Sequence, residues 1–340
     1  MRALDEINRT AADLHLSSVI IDAATFFLKG YGAVVAEAGV TAICLTTPMP
    51  WDNFETAVRR TEEYYRLVRT DPRVLLVERA DDIRRAKVEN KVGMILWSQG
   101  LNVIGDHLPH IEALFRLGYR VLQLTYSERN LIGDGCNEDS DVGLSKFGRD
   151  VVKELNGLNI LVDLSHSSSR TCLEAVELSE HPVVISHANP VSLYPHKRNI
   201  SDDLIRAVAA KGGVIGATPY PPLNWNGDPN HPPTIDDFVT AVDYMVQLVG
   251  VDHIGLGTDS EATEGAYPDE VIAELGRRYP DLGSAFRSAF GRRTELEGFR
   301  GMRDLPRVTE KLLQRGYKPE DVRKIMGGNW QRVFEQVWPA

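Results

Sequence analysis

The sequence predicts a (β/α)8 barrel of the TIM type with additional C-terminal helices. Short apolar runs recur along the 340 residues and read as eight strands, near 18–22, 40–45, 92–97, 119–125, 160–165, 183–187, 213–218 and 253–259. These runs are continuously apolar, the pattern of strands buried on both faces in a parallel sheet. Amphipathic stretches lie between most of them, and repeated strand–helix alternation builds a barrel. A doubly wound open sheet is the alternative.

In chain order, helices are expected over Phe54–Thr70, Gly148–Leu155, Ser169–Leu178, Asp202–Lys211 and Ile235–Val249. Two stretches are too long for simple turns: Arg129–Lys146, rich in Gly, Asp, Asn and Ser, and Pro219–Thr234, rich in Pro. Both follow strands, and long irregular segments of this kind are often active-site loops. From Glu261 onward the chain reads as helices, ending with Pro319–Trp338, where Gly327-Gly328 ends or bends the last one. No linker or low-complexity segment interrupts the chain, so residues 1–340 are expected to form one barrel domain.

The formal net charge of −10 argues against binding nucleic acid or an anionic membrane through a broad basic surface. The three cysteines, Cys44, Cys136 and Cys172, are too few and scattered for a disulfide framework and suit a reducing compartment. Met1–Ser17 is polar and lacks the apolar run of a signal peptide, and no stretch approaches the length of a membrane span. A cytoplasmic protein is expected.

Six strands end in a chemically capable residue: Asp22, Gln99, Tyr126, His166, His187 and Asp259. A parallel barrel gathers the carboxyl ends of its strands on one rim, where such barrels do chemistry. His166 and His187 each follow a serine and sit on neighbouring strands, so their imidazoles can face one metal. Hydrogen-bonded histidines in a polar mouth are the plainer alternative. Asp259 can bind a metal or accept a proton from water, or else cap the next helix. Arg198, in the loop after His187, can grip a carboxylate through two hydrogen bonds or simply be solvated. Tyr126 can donate to a developing oxyanion or merely pack. The histidines at 107, 110, 181, 196, 231 and 253 have no comparable placement. Phosphate-loop, HExxH and nucleophile-elbow motifs are missing from the sequence.

With these residues in place, the chain resembles the renal (membrane) dipeptidases, peptidase family M19 among the amidohydrolase-like barrels. Leu161-Val162-Asp163-Leu164-Ser165-His166 is similar to the family's fifth-strand motif, and Ile185-Ser186-His187 to its sixth, each ending in a metal-binding His. Arg198-Asn199, followed by Asp202, resembles the family's substrate-gripping loop. Gly255-Leu256-Gly257-Thr258-Asp259 resembles the eighth-strand motif with its metal-binding or base Asp. Gly143–Gly148 and Gly327-Gly328-Asn329-Trp330 resemble shared scaffold segments.

The departures are coordinated. The family's first strand ends Asp-Gly-His-x-Asp, whereas this chain has Asp22-Ala23-Ala24-Thr25-Phe26. Gln99 replaces a Glu that bridges two metals, and Tyr126 replaces a substrate-contacting His. A bacterial branch of the family has similar substitutions. The resemblance therefore implies a dipeptidase-like metallohydrolase acting on a dipeptide or related small amide, with at most one zinc per chain. Its ligands would be His166, His187 and Asp259, with Asp22 and Gln99 as weaker candidates. Asp259 and Tyr126 would be catalytic; Arg198, Asn199 and Tyr126 would hold the small-molecule substrate. The family also implies a homodimer. A non-peptidase enzyme, or a metal-free ligand-binding protein on the same barrel, is the alternative.

Overall fold

The computed structural model describes residues 2–26, 33–261, 269–279, 284–291 and 295–338. Ten parallel strands form one sheet: β1 (Ile21–Phe26), β2 (Ala42–Thr46), β3 (Val74–Leu76), β4 (Val92–Ser98), β5 (Tyr119–Gln123), β6 (Leu161–Asp163), β7 (Val184–Ile185), β8 (Val214–Ala217), β9 (Ile254–Leu256) and β10 (Ser260–Glu261). The order β1-β2-β4-β5-β6-β7-β8-β9 closes on itself, because Asp22 of β1 pairs with Leu256 of β9. Eight strands thus make the barrel, and the open-sheet alternative is excluded. The short β3 pairs with the start of β4 at Val92–Met94, and β5 takes over from Leu96. β10 extends the pairing of β1 at Thr25 and Phe26.

Burial follows from strand periodicity, since successive side chains point to opposite faces. One set, including Ile43, Leu45, Met94, Leu96, Val162, Ile185 and Ile215, packs outward against the helices. The other, including Ile21, Ala42, Cys44, Ile95, Val121 and Val184, fills the barrel. The final helix, Asn329–Val337, joins this inner set through Trp330, Val333 and Phe334. Trp330 Nε1–H donates to the Leu256 carbonyl and Asn329 to those of Val251 and Ile254, so this helix stoppers the end opposite the rim.

The helices Phe54–Thr70, Ser169–Leu178 and Ile235–Val249 begin where Asn53, Ser168 and Thr234 place a side-chain acceptor on the third N–H of the helix. The expected Pro319–Trp338 helix bends at a π-turn over Lys324–Gly328 and continues to Val337. Within the helical stretch expected after Glu261, residues 262–268, 280–283 and 292–294 lie outside the described residues. No helix of the described residues is long and apolar enough to cross a membrane. Cys44, Cys136 and Cys172 are unpaired with one another.

Candidate active site

The rim gathers the strand-end residues through three strained turns. Among the described residues, five non-glycine residues have positive φ: Asn90, Ser127, Asn159, His166 and Asp259. Asparagine tolerates this region; the other three do so at a cost and cluster at one site, as strained residues of active sites do. Each redirects a side chain just beyond a strand end. Gly216 and Gly257 let the strands close around β7: a Cβ on either would lie 1.9 or 1.8 Å from the Ser186 carbonyl.

His166 and His187 meet edge to edge, with Nε2 atoms 3.0 Å apart. Behind them, His166 Nδ1 lies 2.7 Å from Ser127 Oγ, and His187 Nδ1 lies 2.8 Å from Ser186 Oγ. Burial, reinforced by the Arg198 guanidinium, pushes both imidazoles well below the usual histidine range. Both are therefore neutral, the form in which an imidazole offers a lone pair.

Asp259 Oδ1 stands 4.0 Å from His187 Nε2, buried and without a hydrogen-bond partner. Burial raises its carboxyl to about 7, against the pull of Arg198 and with a small push from Asp22. Gln99 Nε2 lies 3.3 Å from His187 Nε2, while its Oε1 is buried and unpartnered. Arg198 donates from Nη2 to the His187 carbonyl at 2.7 Å, and its buried Nε has no partner. No carboxylate of the described residues lies within ion-pair distance of that guanidinium. Tyr126 stacks on His166, with ring centroids 4.1 Å apart, and meets Tyr279 edge-on at 5.0 Å.

Two other expected residues turn elsewhere. Asp22 accepts the backbone N–H and hydroxyl of Thr258 at 2.8 and 2.5 Å, which ties β1 to the end of β9. Asn199 donates to the Tyr194 and Leu223 carbonyls and accepts the Asn189 N–H, so its amide braces loops behind Arg198. Ser127 and Ser186 stand directly behind the imidazoles, and Asp163 stands behind Ser186; the sequence reading gives none of the three a role. The serine before each histidine was the visible signal for one of them.

The donors can be tested against a metal. Two ligands held about 2.0–2.1 Å from one tetrahedral zinc lie about 3.3–3.4 Å apart. The histidine pair at 3.0 Å is close to that spacing; Asp259 at 4.0 Å is beyond it and must rotate inward. Among the described residues, no group of three or more His, Cys, Asp or Glu is already assembled around a common point. Two neutral imidazoles and an unpartnered carboxylate oxygen suit one cation. Gln99 beside them offers a neutral amide rather than a carboxylate.

Comparison with known proteins identifies the family of the chain. The chain matches the family model for membrane dipeptidase (Peptidase family M19) over residues 17–280 and 269–339. It is 30% identical over 267 residues to the dipeptidase tcpJ of Claviceps purpurea (strain 20.1), a match that covers 78% of this chain and 56% of that protein. The chain thus spans about half the length of that curated relative. Among solved structures, it is similar to an amidohydrolase from Pseudomonas aeruginosa, at 33% identity with a TM-score of 0.84, covering 96% of this chain and 99% of that one. The probable dipeptidase PvdM from the same organism shares the fold at 20% identity and a TM-score of 0.82, covering 98% and 99% of the two chains.

Proposed function

Since this chain belongs to the membrane dipeptidase family, peptidase family M19, we propose that it hydrolyses a dipeptide or a related small amide at a site holding at most one zinc. One observation carries this reading. Two neutral imidazoles, an unpartnered carboxylate oxygen and a buried guanidinium without a carboxylate face a common region of the rim. His166, His187 and Asp259 would hold the cation, with Gln99 beside them. When bound, such an ion polarises the scissile carbonyl and acidifies water.

The chain's own residues supply the rest. Arg198 receives the substrate carboxylate as a two-pronged hydrogen-bond donor. Asp259 accepts a proton from the attacking water. Tyr126 donates its hydroxyl to the oxygen that becomes negative as the carbonyl is attacked. With Ala24, Phe26 and Gln99 in place of ligands, a second cation would find no holder, which predicts low activity on ordinary dipeptides or a different preferred amide. Residues 1–340 act as one unit, and the protein works as a cytoplasmic homodimer. The unpaired cysteines suit a reducing compartment.

The direct 3.0 Å contact between His166 and His187 needs no ion and favours a second reading. In it, the protein is a metal-free enzyme of another type or a binding protein. Elemental analysis of protein purified without chelator, with a screen of dipeptides and N-acyl amino acids, separates the two. About one zinc per chain, lost in His166→Ala together with hydrolysis, supports the first. Absence of zinc, with no thermal stabilisation on adding it, supports the second.

A further inference from the structure

We infer that Asp163, acting through the Ser186 hydroxyl, fixes His187 in the tautomer whose bare Nε2 faces the site. Asp163 and Ser186 are then positioning residues for His187. Their use toward a cation rests on the function proposed above; the tautomer itself does not.

Asp163 Oδ1 accepts the backbone N–H of Ser165 at 3.0 Å and of Ser186 at 2.9 Å. Its Oδ2 accepts the Trp97 indole N–H at 3.1 Å and the Ser186 hydroxyl at 2.6 Å. Three of these partners can only donate, and although burial pushes the Asp163 carboxyl upward, these N–H donors stabilise its ionised, accepting form. Ser186 has a single hydroxyl proton and three possible acceptors within reach: this carboxylate oxygen at 2.6 Å, His187 Nδ1 at 2.8 Å and Ser165 Oγ at 3.0 Å. The charge-assisted bond wins. With its proton committed, Ser186 Oγ can only accept from His187 Nδ1 at 2.8 Å. His187 therefore carries its proton on Nδ1 and a lone pair on Nε2.

The backbone holds this chain of bonds in place. Ser165 Oγ accepts the His187 N–H at 3.0 Å, and Arg198 donates to the His187 carbonyl at 2.7 Å. The Ser186 carbonyl occupies the space left by the glycines at 216 and 257. His166 differs. Behind its Nδ1 stands Ser127, beside the Cys136 thiol, with no carboxylate in that position. In the metal-free protein, His166 then donates from Nε2 to the bare Nε2 of His187 across 3.0 Å. Binding a cation requires His166 alone to move its proton to Nδ1. A carboxylate behind a ligand imidazole commonly has this orienting role; here it acts through a hydroxyl.

The test uses metal-free full-length protein with ¹⁵N-labelled histidine, read by long-range ¹H–¹⁵N correlation, together with zinc affinity by chelator competition. The expected result is His187 protonated at Nδ1 in the wild type. Ser186→Ala loses that single tautomer and binds zinc ~10–100-fold more weakly, while Ser186→Thr, which keeps the hydroxyl, restores both. A wild-type His187 protonated at Nε2, or a Ser186→Ala protein unchanged in both readouts, overturns the inference. If Ser186→Ala does not fold, the wild-type spectrum alone decides. Protonation at Nδ1 in a wild type that takes up no zinc upholds the positioning role and removes the metal reading instead.

Discussion

Tyr126 lies nearly flat on His166, with the two ring centroids 4.1 Å apart and the planes inclined by 22°. The ring packs and the hydroxyl acts, so substitution separates the two. Tyr126→Phe should lower kcat by ~10²–10³-fold, the loss typical of one oxyanion donor, with zinc content unchanged. Tyr126→Ala should also destabilise the protein. Equal kcat in Tyr126→Phe and wild type would remove the hydroxyl from the mechanism.

Arg198 is buried, and its Nε has no partner. Arg198→Met should raise KM for a dipeptide by roughly 10–100-fold, as expected for a lost hydrogen bond between charged groups. A dipeptide amide without the terminal carboxylate should be handled alike by both proteins. A comparable KM penalty on the amide would mean that the residue supports the fold around His187 rather than the substrate.

Asp259 sets a pH-dependent stability. Its folded-state carboxyl titrates at about 7, above the ordinary carboxyl value of 3.8. The folded protein therefore holds this proton more tightly than the unfolded chain, and stability falls as pH rises from about 4 through 7. In metal-free protein, Asp259→Asn should be more stable than wild type at pH 8, by on the order of 2–3 kcal/mol after allowing for the part of the side chain left in solvent. The two should converge near pH 4. Denaturant unfolding at both pH values measures this, and a constant difference would refute it.

Asp22 should behave as a strand clamp. Asp22→Asn turns a donor toward Thr258 where an acceptor is needed, which should cost about 1–3 kcal/mol and leave zinc affinity within twofold of wild type. A tenfold loss of zinc in a folded Asp22→Asn protein would return this carboxylate to the ligand set.

The architecture was legible in the sequence because the signals were long and periodic. The helices Phe54–Thr70, Ser169–Leu178 and Ile235–Val249 have the same bounds in the structure as in the pattern, since side-chain caps and amphipathic faces agree there. The three-residue β3 and the nine-residue helix Ala80–Val88 gave no such signal. At the site, terminal strand residues were readable one by one. The bond between Asp163 and Ser186 was not, because it joins neighbouring strands across 23 positions. Nor did the sequence show that Thr258 occupies Asp22, or that Asn199 is consumed by backbone groups; both depend on how far each strand reaches past its last hydrogen bond.

The barrel seam joins Asp22 to Leu256, and Trp330 and Phe334 of the final helix complete the packing beneath it. During synthesis the ribosome must release the chain past Leu256 before that seam can form. The first strand therefore waits, unpaired on one edge, until the ninth has emerged, and the barrel closes only after all its other strands are made. Chains arrested before residue 256 should be cut by protease at sites that the finished protein hides.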